Sequence, residues 1–299
     1  MIFQTITSKR VIDKGWSGDK KYCAETDCGE KYLLRIASID RLERKRREFE
    51  KMGQIASLGV PMCRPVEFGV CEEGVYSIQT WIDGQDAEPL VMGMDESDQY
   101  RYGLAAGQIL ARIHTVPAPL DIPDWEVRFN AKIDRKIAMY EDCALKYETG
   151  GEAFLSYIAE NRYLLAGRPQ CYQHGDYHIG NMMIDRDGNL TIIDFDRDDF
   201  GDPWEEFNRI VWCAQAAPAF ASGMVDGYFD GNVPVEFWKL LALYISSNTL
   251  SSLPWAIPFG EGEIQVMREQ ASQVLKWYDG MKNVVPSWYQ KRERRDDRG

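Results

Sequence analysis

The sequence predicts an α+β protein of two lobes, a small β-rich N-terminal lobe (1–83) and a larger, mainly helical C-terminal lobe (84–290). Three observations predict it. The first ninety residues read as short strands around a single helix. After Gly84 the apolar residues recur at helical spacing. One β island, 171–196, interrupts the helical part.

In chain order, Tyr22–Ala24 and Lys31–Ile36 are β-like runs on either side of the turn Glu25-Thr26-Asp27-Cys28-Gly29-Glu30. From Asp40 to Leu58 the spacing of Leu42, Phe49, Met52, Ile55 and Ala56 predicts a helix, which Gly59 and Pro61 stop. Val66–Val70 and Val75–Trp81 read as a hairpin around Cys71-Glu72-Glu73-Gly74, and a hinge is expected near Trp81–Gln85. Helices are then expected over Asp98–His114, Arg128–Lys146, Ala153–Leu165, Pro234–Leu250 and Glu263–Met281. The tail, 291–299, is almost wholly charged and expected to be disordered.

Composition narrows the function. The chain has 299 residues, 44% hydrophobic and 27% charged, as a globular protein does. Its 35 Lys+Arg against 47 Asp+Glu leave a formal charge of −12, which argues against a nucleic-acid binder and against docking on an anionic membrane. The first ten residues lack the apolar core of a signal peptide, and no stretch approaches a membrane span. Seven scattered cysteines without a C-x-x-C point to a reduced cytoplasm.

The chemistry concentrates in the β island, CYQHGDYHIGNMMIDRDGNLTIIDFD. His174-x-Asp176-x-x-x-x-Asn181 has the spacing of a phosphoryl-transfer loop. Apolar runs flank Arg186-Asp187-Gly188-Asn189, a hairpin turn signal. A hairpin centred near residue 187.5 makes Asn181 and Asp194 equidistant from its turn, so both emerge at its open end. An amide oxygen and a carboxylate placed together there suit Mg²⁺. Asp176 lies close enough to accept a proton from an attacking hydroxyl. His174 is read as a residue that orients backbone, and His178 has no assigned role.

The string HGDYHIGNMMID…LTIIDFD resembles the aminoglycoside phosphotransferase family, small-molecule kinases of protein-kinase-like fold. The likeness runs over about residues 10–285, and its motifs identify the superfamily better than the substrate. It implies Mg²⁺ as cofactor, ATP or GTP as phosphoryl donor, and a small-molecule hydroxyl as acceptor. Within that resemblance Asp176 is the catalytic base, and Asn181 and Asp194 are the metal ligands. Lys14-Gly15-Trp16-Ser17-Gly18-Asp19-Lys20 looks like the nucleotide-positioning loop, with Ser17 as a hydroxyl donor. Arg35 stands where many relatives carry the phosphate-binding lysine. Its expected partner is Glu48, with Glu50 second. The Thr80 carbonyl and the Ile82 N–H are the expected adenine contacts at the hinge.

The run Arg41–Lys51 reads as a solvated helix face. After Asp194 comes an acidic run: Asp196, Asp198, Asp199, Asp202, Glu205 and Glu206. By resemblance Asp202 is a structural anchor, while Glu206 replaces an expected Asp. Some of these carboxylates are candidates for a cationic amine, and an aminoglycoside-type antibiotic is the acceptor expected first. A metabolic kinase acting on an amino alcohol, sugar or macrolide stays open, as does a catalytically silent binding protein. No Walker phosphate loop is present, so that class is excluded.

Overall fold

A computed structural model of the chain describes residues 1–13 and 18–291. They divide into two compact units that cross chain order. One joins Met1–Leu90 to His174–Asp198; the other joins Val91–Gln173 to the chain from Asp199 onward. From His174 onward the β island therefore groups with the N-terminal strands, although the chain reaches it only after passing through several helices. The expected tail, 291–299, lies outside the described residues from 292 on.

In the first unit, α1 (Ile2–Thr5) leads into β1 (Ile6–Val11), β2 (Lys20–Thr26) and β3 (Lys31–Ala37). After them come α2 (Leu42–Ser57), β4 (Pro65–Cys71) and β5 (Gly74–Thr80). The strands form an antiparallel sheet in the order β1-β2-β3-β5-β4. Period-two alternation assigns its faces. Ala24, Leu34, Ile36, Tyr76 and Ile78 form one apolar cluster. Arg35 falls between Leu34 and Ile36 and so points to the opposite face, which it shares with its register partner Ser77 and with Gln79. That face is covered by α2, whose Met52 sulfur accepts from the Gln79 amide. A polar strand residue is thereby buried under a helix.

The second unit is helical: α3 (Ala87–Met92) carries the chain into it, followed by α4 (Glu96–Ile113), α5 (Trp125–Asp142) and α6 (Gly151–Asn161). Beyond the β island come α7 (Ile210–Ala216), α8 (Pro218–Phe229), α9 (Val235–Ala256) and α10 (Glu261–Trp277). The long α9 packs on α5 and α6. Helices α4 and α8 meet through glycines on both sides: a Cβ on Gly103 or Gly107 would lie 2.1 Å from the carbonyl oxygen of Phe220 or Met224. Gly223 and Gly227 repeat the arrangement against Tyr100 and Leu104. The five helices expected from periodicity are present with shifted ends. Helix α8 carries no apolar stripe, because Phe220 through Asp226 are all buried. Among the described residues no helix is long and apolar enough to cross a membrane.

Candidate active site

The site residues of the first unit hang on the hairpin Met182–Asp185 with Leu190–Ile192. Its register pairs Met182 with Ile192 and Ile184 with Leu190. The expected midpoint is therefore off by half a residue, and Asn181 faces Ile193, whose N–H donates to the Asn181 carbonyl at 3.0 Å. The turn explains the shift. Asp185 and Asn189 close a three-residue loop in which Gly188 takes a left-handed φ of 81°. The Asp185 carboxylate accepts from the N–H groups of Asp187 and Asn189. These bonds, that of Asn189 foremost, hold its carboxyl below the ordinary value.

Asp194 comes one residue past that register, with φ at 67°, a backbone region non-glycine residues rarely occupy. Its neighbours hold it there. His174 is fully buried. Its Nε2 donates to the Ile193 carbonyl at 3.0 Å, and its Nδ1 accepts from the Asp176 N–H at 3.3 Å. The two bonds require the neutral ring with the proton on Nε2. The same ring lies edge-on to Phe195 and Tyr177. One imidazole thus ties the strand before Asp194 to the loop carrying Asp176, which is the backbone-orienting role the sequence predicts.

The loop from Asp176 to Asn181 closes on itself. The Asn181 Nδ2 donates to the Asp176 carbonyl at 2.9 Å, which leaves Oδ1 as the acceptor end of the amide. His178 caps the turn: its Nδ1 accepts from the Gly180 N–H at 3.1 Å. The Asp176 carboxylate stands 3.5 Å from Arg197 Nη1 and 3.8 Å from His178 Nε2. Gly175 has φ at 84°, and a Cβ there would meet the Arg197 carbonyl at 1.9 Å, so only glycine fits. The donor set fits Mg²⁺: an amide oxygen and a carboxylate are hard ligands, too few to hold the ion without phosphate or water. Among the described residues no cluster of three His, Cys, Asp or Glu forms a self-sufficient metal site.

Arg35 sits in a nest of carboxylates. It pairs with Asp19 at 3.1 Å, with Asp194 at 3.5 Å and with Asp196. Burial opposes the guanidinium charge, but Asp196, Asp194 and Asp19 hold its pKa above the ordinary value. The thiol of nearby Cys63 is pushed up to about 12 by burial, although Arg35 pulls the other way. Among the described residues the carboxylates seen on Arg35 are those of Asp19, Asp194 and Asp196. Glu48 is occupied by its own helix, through Arg44 at 2.7 Å and Lys45 at 2.8 Å. Asp19, read in the sequence only as a member of the loop 14–20, is a carboxylate partner of Arg35. The Arg41–Lys51 face is likewise not merely solvated: Arg41 and Lys45 reach Asp19, and Lys51 reaches Asp198.

Where the sequence predicts a hinge, Thr80 ends β5 and exchanges bonds with Arg64. Its N–H donates to the Arg64 carbonyl at 2.9 Å, and its hydroxyl accepts from the Arg64 N–H at 2.8 Å. Ile82 follows the strand, half-buried. Ser17 lies outside the described residues.

In the second unit Asp202, Glu205 and Glu206 of the acidic run turn inward, while Asp199 stays exposed. Asp202 is fully buried and accepts from Arg168 at 2.6 and 2.9 Å and from the Tyr244 hydroxyl at 2.6 Å. Glu205 is bonded to Lys132 and Gln173. Burial works against its charge, yet Lys132 and Lys136 bring its pKa below the ordinary value. Glu206 is buried 3.9 Å from His114. Asp202 thus anchors structure as expected, while Glu205 and Glu206 are buried with protein partners.

A family model described as the phosphotransferase enzyme family matches residues 9–238. The chain belongs to that family. It is a small-molecule kinase with the mixed α+β fold of its relatives. No curated protein matches the sequence. Among solved structures, this kinase resembles a thermostable mutant of the aminoglycoside phosphotransferase APH(4)-Ia, in complex with ADP and hygromycin B. That match has TM-score 0.66 and 15% identity, covering 92% of this chain and 95% of the other. A choline/ethanolamine kinase family protein from Mesorhizobium loti matches with TM-score 0.64 and 15% identity, over 93% and 92% of the two chains. An aminoglycoside phosphotransferase from Alicyclobacillus acidocaldarius subsp. acidocaldarius has TM-score 0.64 and 12% identity, over 94% and 91%. At these identities the likeness is one of fold.

Proposed function

We propose that this kinase moves the γ-phosphoryl group of ATP or GTP to a hydroxyl of a small molecule, with Asp176 as the base. The observation that carries the reading is the Asn181–Asp176 bond, which engages the amide nitrogen and joins the amide to the loop that presents the carboxylate. Asn181 and Asp194 would hold Mg²⁺, which when bound offsets the charge of the phosphates. Asp176 takes the proton of the attacking hydroxyl onto its carboxylate, which is only partly exposed and flanked by Arg197. Arg35 meets the phosphates with a permanently charged fork. The Thr80 carbonyl and the Ile82 N–H read the base by main-chain bonds. Seven free cysteines support a reducing cytoplasmic location.

For the acceptor we propose an aminoglycoside-type antibiotic, supported by the family and by the hygromycin B bound to the APH(4)-Ia structure. A phosphorylation screen of antibiotics, amino alcohols and sugars at micromolar concentration, run beside Asp176→Asn, tests both levels. Transfer to an aminoglycoside that disappears in the variant is the expected result. Transfer to an amino alcohol alone would replace the acceptor and leave the mechanism standing. Undiminished transfer by the variant would remove Asp176 as the base.

A further inference from the structure

We infer that Lys45 is a second phosphate-binding cation of this kinase, held beside Arg35 by the shared carboxylate of Asp19. The inference rests on the nucleotide reading above and adds to it a residue on α2. Arg35 Nη2 and Lys45 Nζ converge on one atom, Asp19 Oδ2, at 3.1 and 2.7 Å. Both also face Asp196: Arg35 bonds its Oδ2, and Lys45 stands 4.0 Å from its Oδ1. The two cations therefore bracket the same pair of carboxylates.

Those carboxylates differ in access. The Asp19 side chain is 1% exposed and is also gripped by Arg41 at 3.2 Å, so it is the permanent anion. The Asp196 side chain is 20% exposed and meets solvent. Like charges this close need an anion between them. A nucleotide phosphate supplies one in place of Asp196, and Asp19 stays behind to hold both cations. Glu48 fits the same scheme: at 2.8 Å it orients Lys45 from the next turn of α2. The polarity of the strand–helix pair is thus reversed. The strand arginine draws its anion from Asp19, and the helix contributes a cation.

Calorimetric titration of the full chain with Mg·AMP-PNP, Mg·ADP and adenosine tests this without knowing the acceptor. A charge-assisted bond is worth about 1.5–3 kcal/mol, or roughly 10- to 150-fold in affinity. Lys45→Met is expected to weaken Mg·AMP-PNP by that factor and to leave adenosine within about twofold. Lys45→Arg is expected to restore binding, and Lys45→Gln serves where the methionine variant melts early. Equal loss for adenosine and for AMP-PNP would reduce Lys45 to a structural tie, as would wild-type affinity in both neutral variants. If the wild type binds none of the three ligands, the nucleotide reading itself falls, and Lys45 with it.

Discussion

Asn181 donates its side-chain amide to the main-chain carbonyl of Asp176, five residues earlier, at 2.9 Å. The bond makes one unit of the proposed base and a proposed metal ligand, so the two residues separate by readout. Asp176→Asn is expected to lower kcat about 10²–10⁴-fold with nucleotide affinity nearly unchanged, as for loss of a general base. Asn181→Ala is expected to lower kcat comparably and also to raise the Mg²⁺ concentration needed for half-maximal rate. Coupled ATPase or transfer assays across a Mg²⁺ series read both effects. An Asn181→Ala enzyme with an unchanged Mg²⁺ requirement would contradict the ligand role.

His174 holds two main-chain groups from the interior, one through each ring nitrogen. Truncation to alanine leaves the Ile193 carbonyl and the Asp176 N–H without their partner and opens a cavity beside Phe195. His174→Ala is expected to cost about 2–4 kcal/mol, read as a lower urea midpoint. Because the ring bonds the backbone before Asp194 and packs on the Phe195 ring after it, residual activity of the folded variant should show a weaker response to Mg²⁺.

Lys136 supplies a pH test in the helical unit. Its amine donates to Asn248 Oδ1 at 3.4 Å. Burial first, then the charge of Lys132, push its pKa down to about 7 from 10.5, against the pull of Glu205. Between those values the unfolded chain binds the extra proton, so stability rises with pH across the interval. The burden is full below pH 7 and gone above about pH 10.5. Lys136→Met is therefore expected to stabilise the protein at pH 6 by about 1–3 kcal/mol, the gain fading toward pH 10. Thermal melts at the two pH values decide it. A destabilised variant at pH 6 would mean that the pairing with Glu205 outweighs burial.

Two glycines predict opposite signs. Gly107 faces the Met224 carbonyl, where an added Cβ would sit at 2.1 Å, so Gly107→Ala must push α4 and α8 apart. It is expected to cost about 1–3 kcal/mol despite the better helix propensity of alanine. Gly262, in the first turn of α10, has nothing within 4 Å of its added Cβ. Gly262→Ala is expected to gain about 0.5–1 kcal/mol. Differential scanning of the pair against wild type measures both.

Local order was legible wherever one face of an element met solvent. The stripe Met52–Ile55–Ala56 located α2, and the β island announced its hairpin through two apolar runs around a turn. Helix α8 was silent because neighbours surround it, leaving no polar face to produce a period. The hairpin register slipped by half a residue because Arg186-Asp187-Gly188 forms a three-residue loop, and the sequence does not distinguish that from a two-residue turn.

The sequence by itself determined the mixed α+β class and gathered Asp176, Asn181 and Asp194 as candidates, because both readings depend on short spacings along the chain. The alternation of β3 also places Arg35 on the face opposite the apolar cluster. Only the tertiary structure decided who faces whom across long separations. Arg35 draws Asp19, Asp194 and Asp196, and Lys45 meets Arg35 on one oxygen of Asp19. Asp202 and Glu205 of the acidic run turned inward to Arg168, Tyr244 and Lys132 for the same reason. A carboxylate leaving water takes the nearest cation that the packed backbone brings to it, and that proximity is a property of the fold.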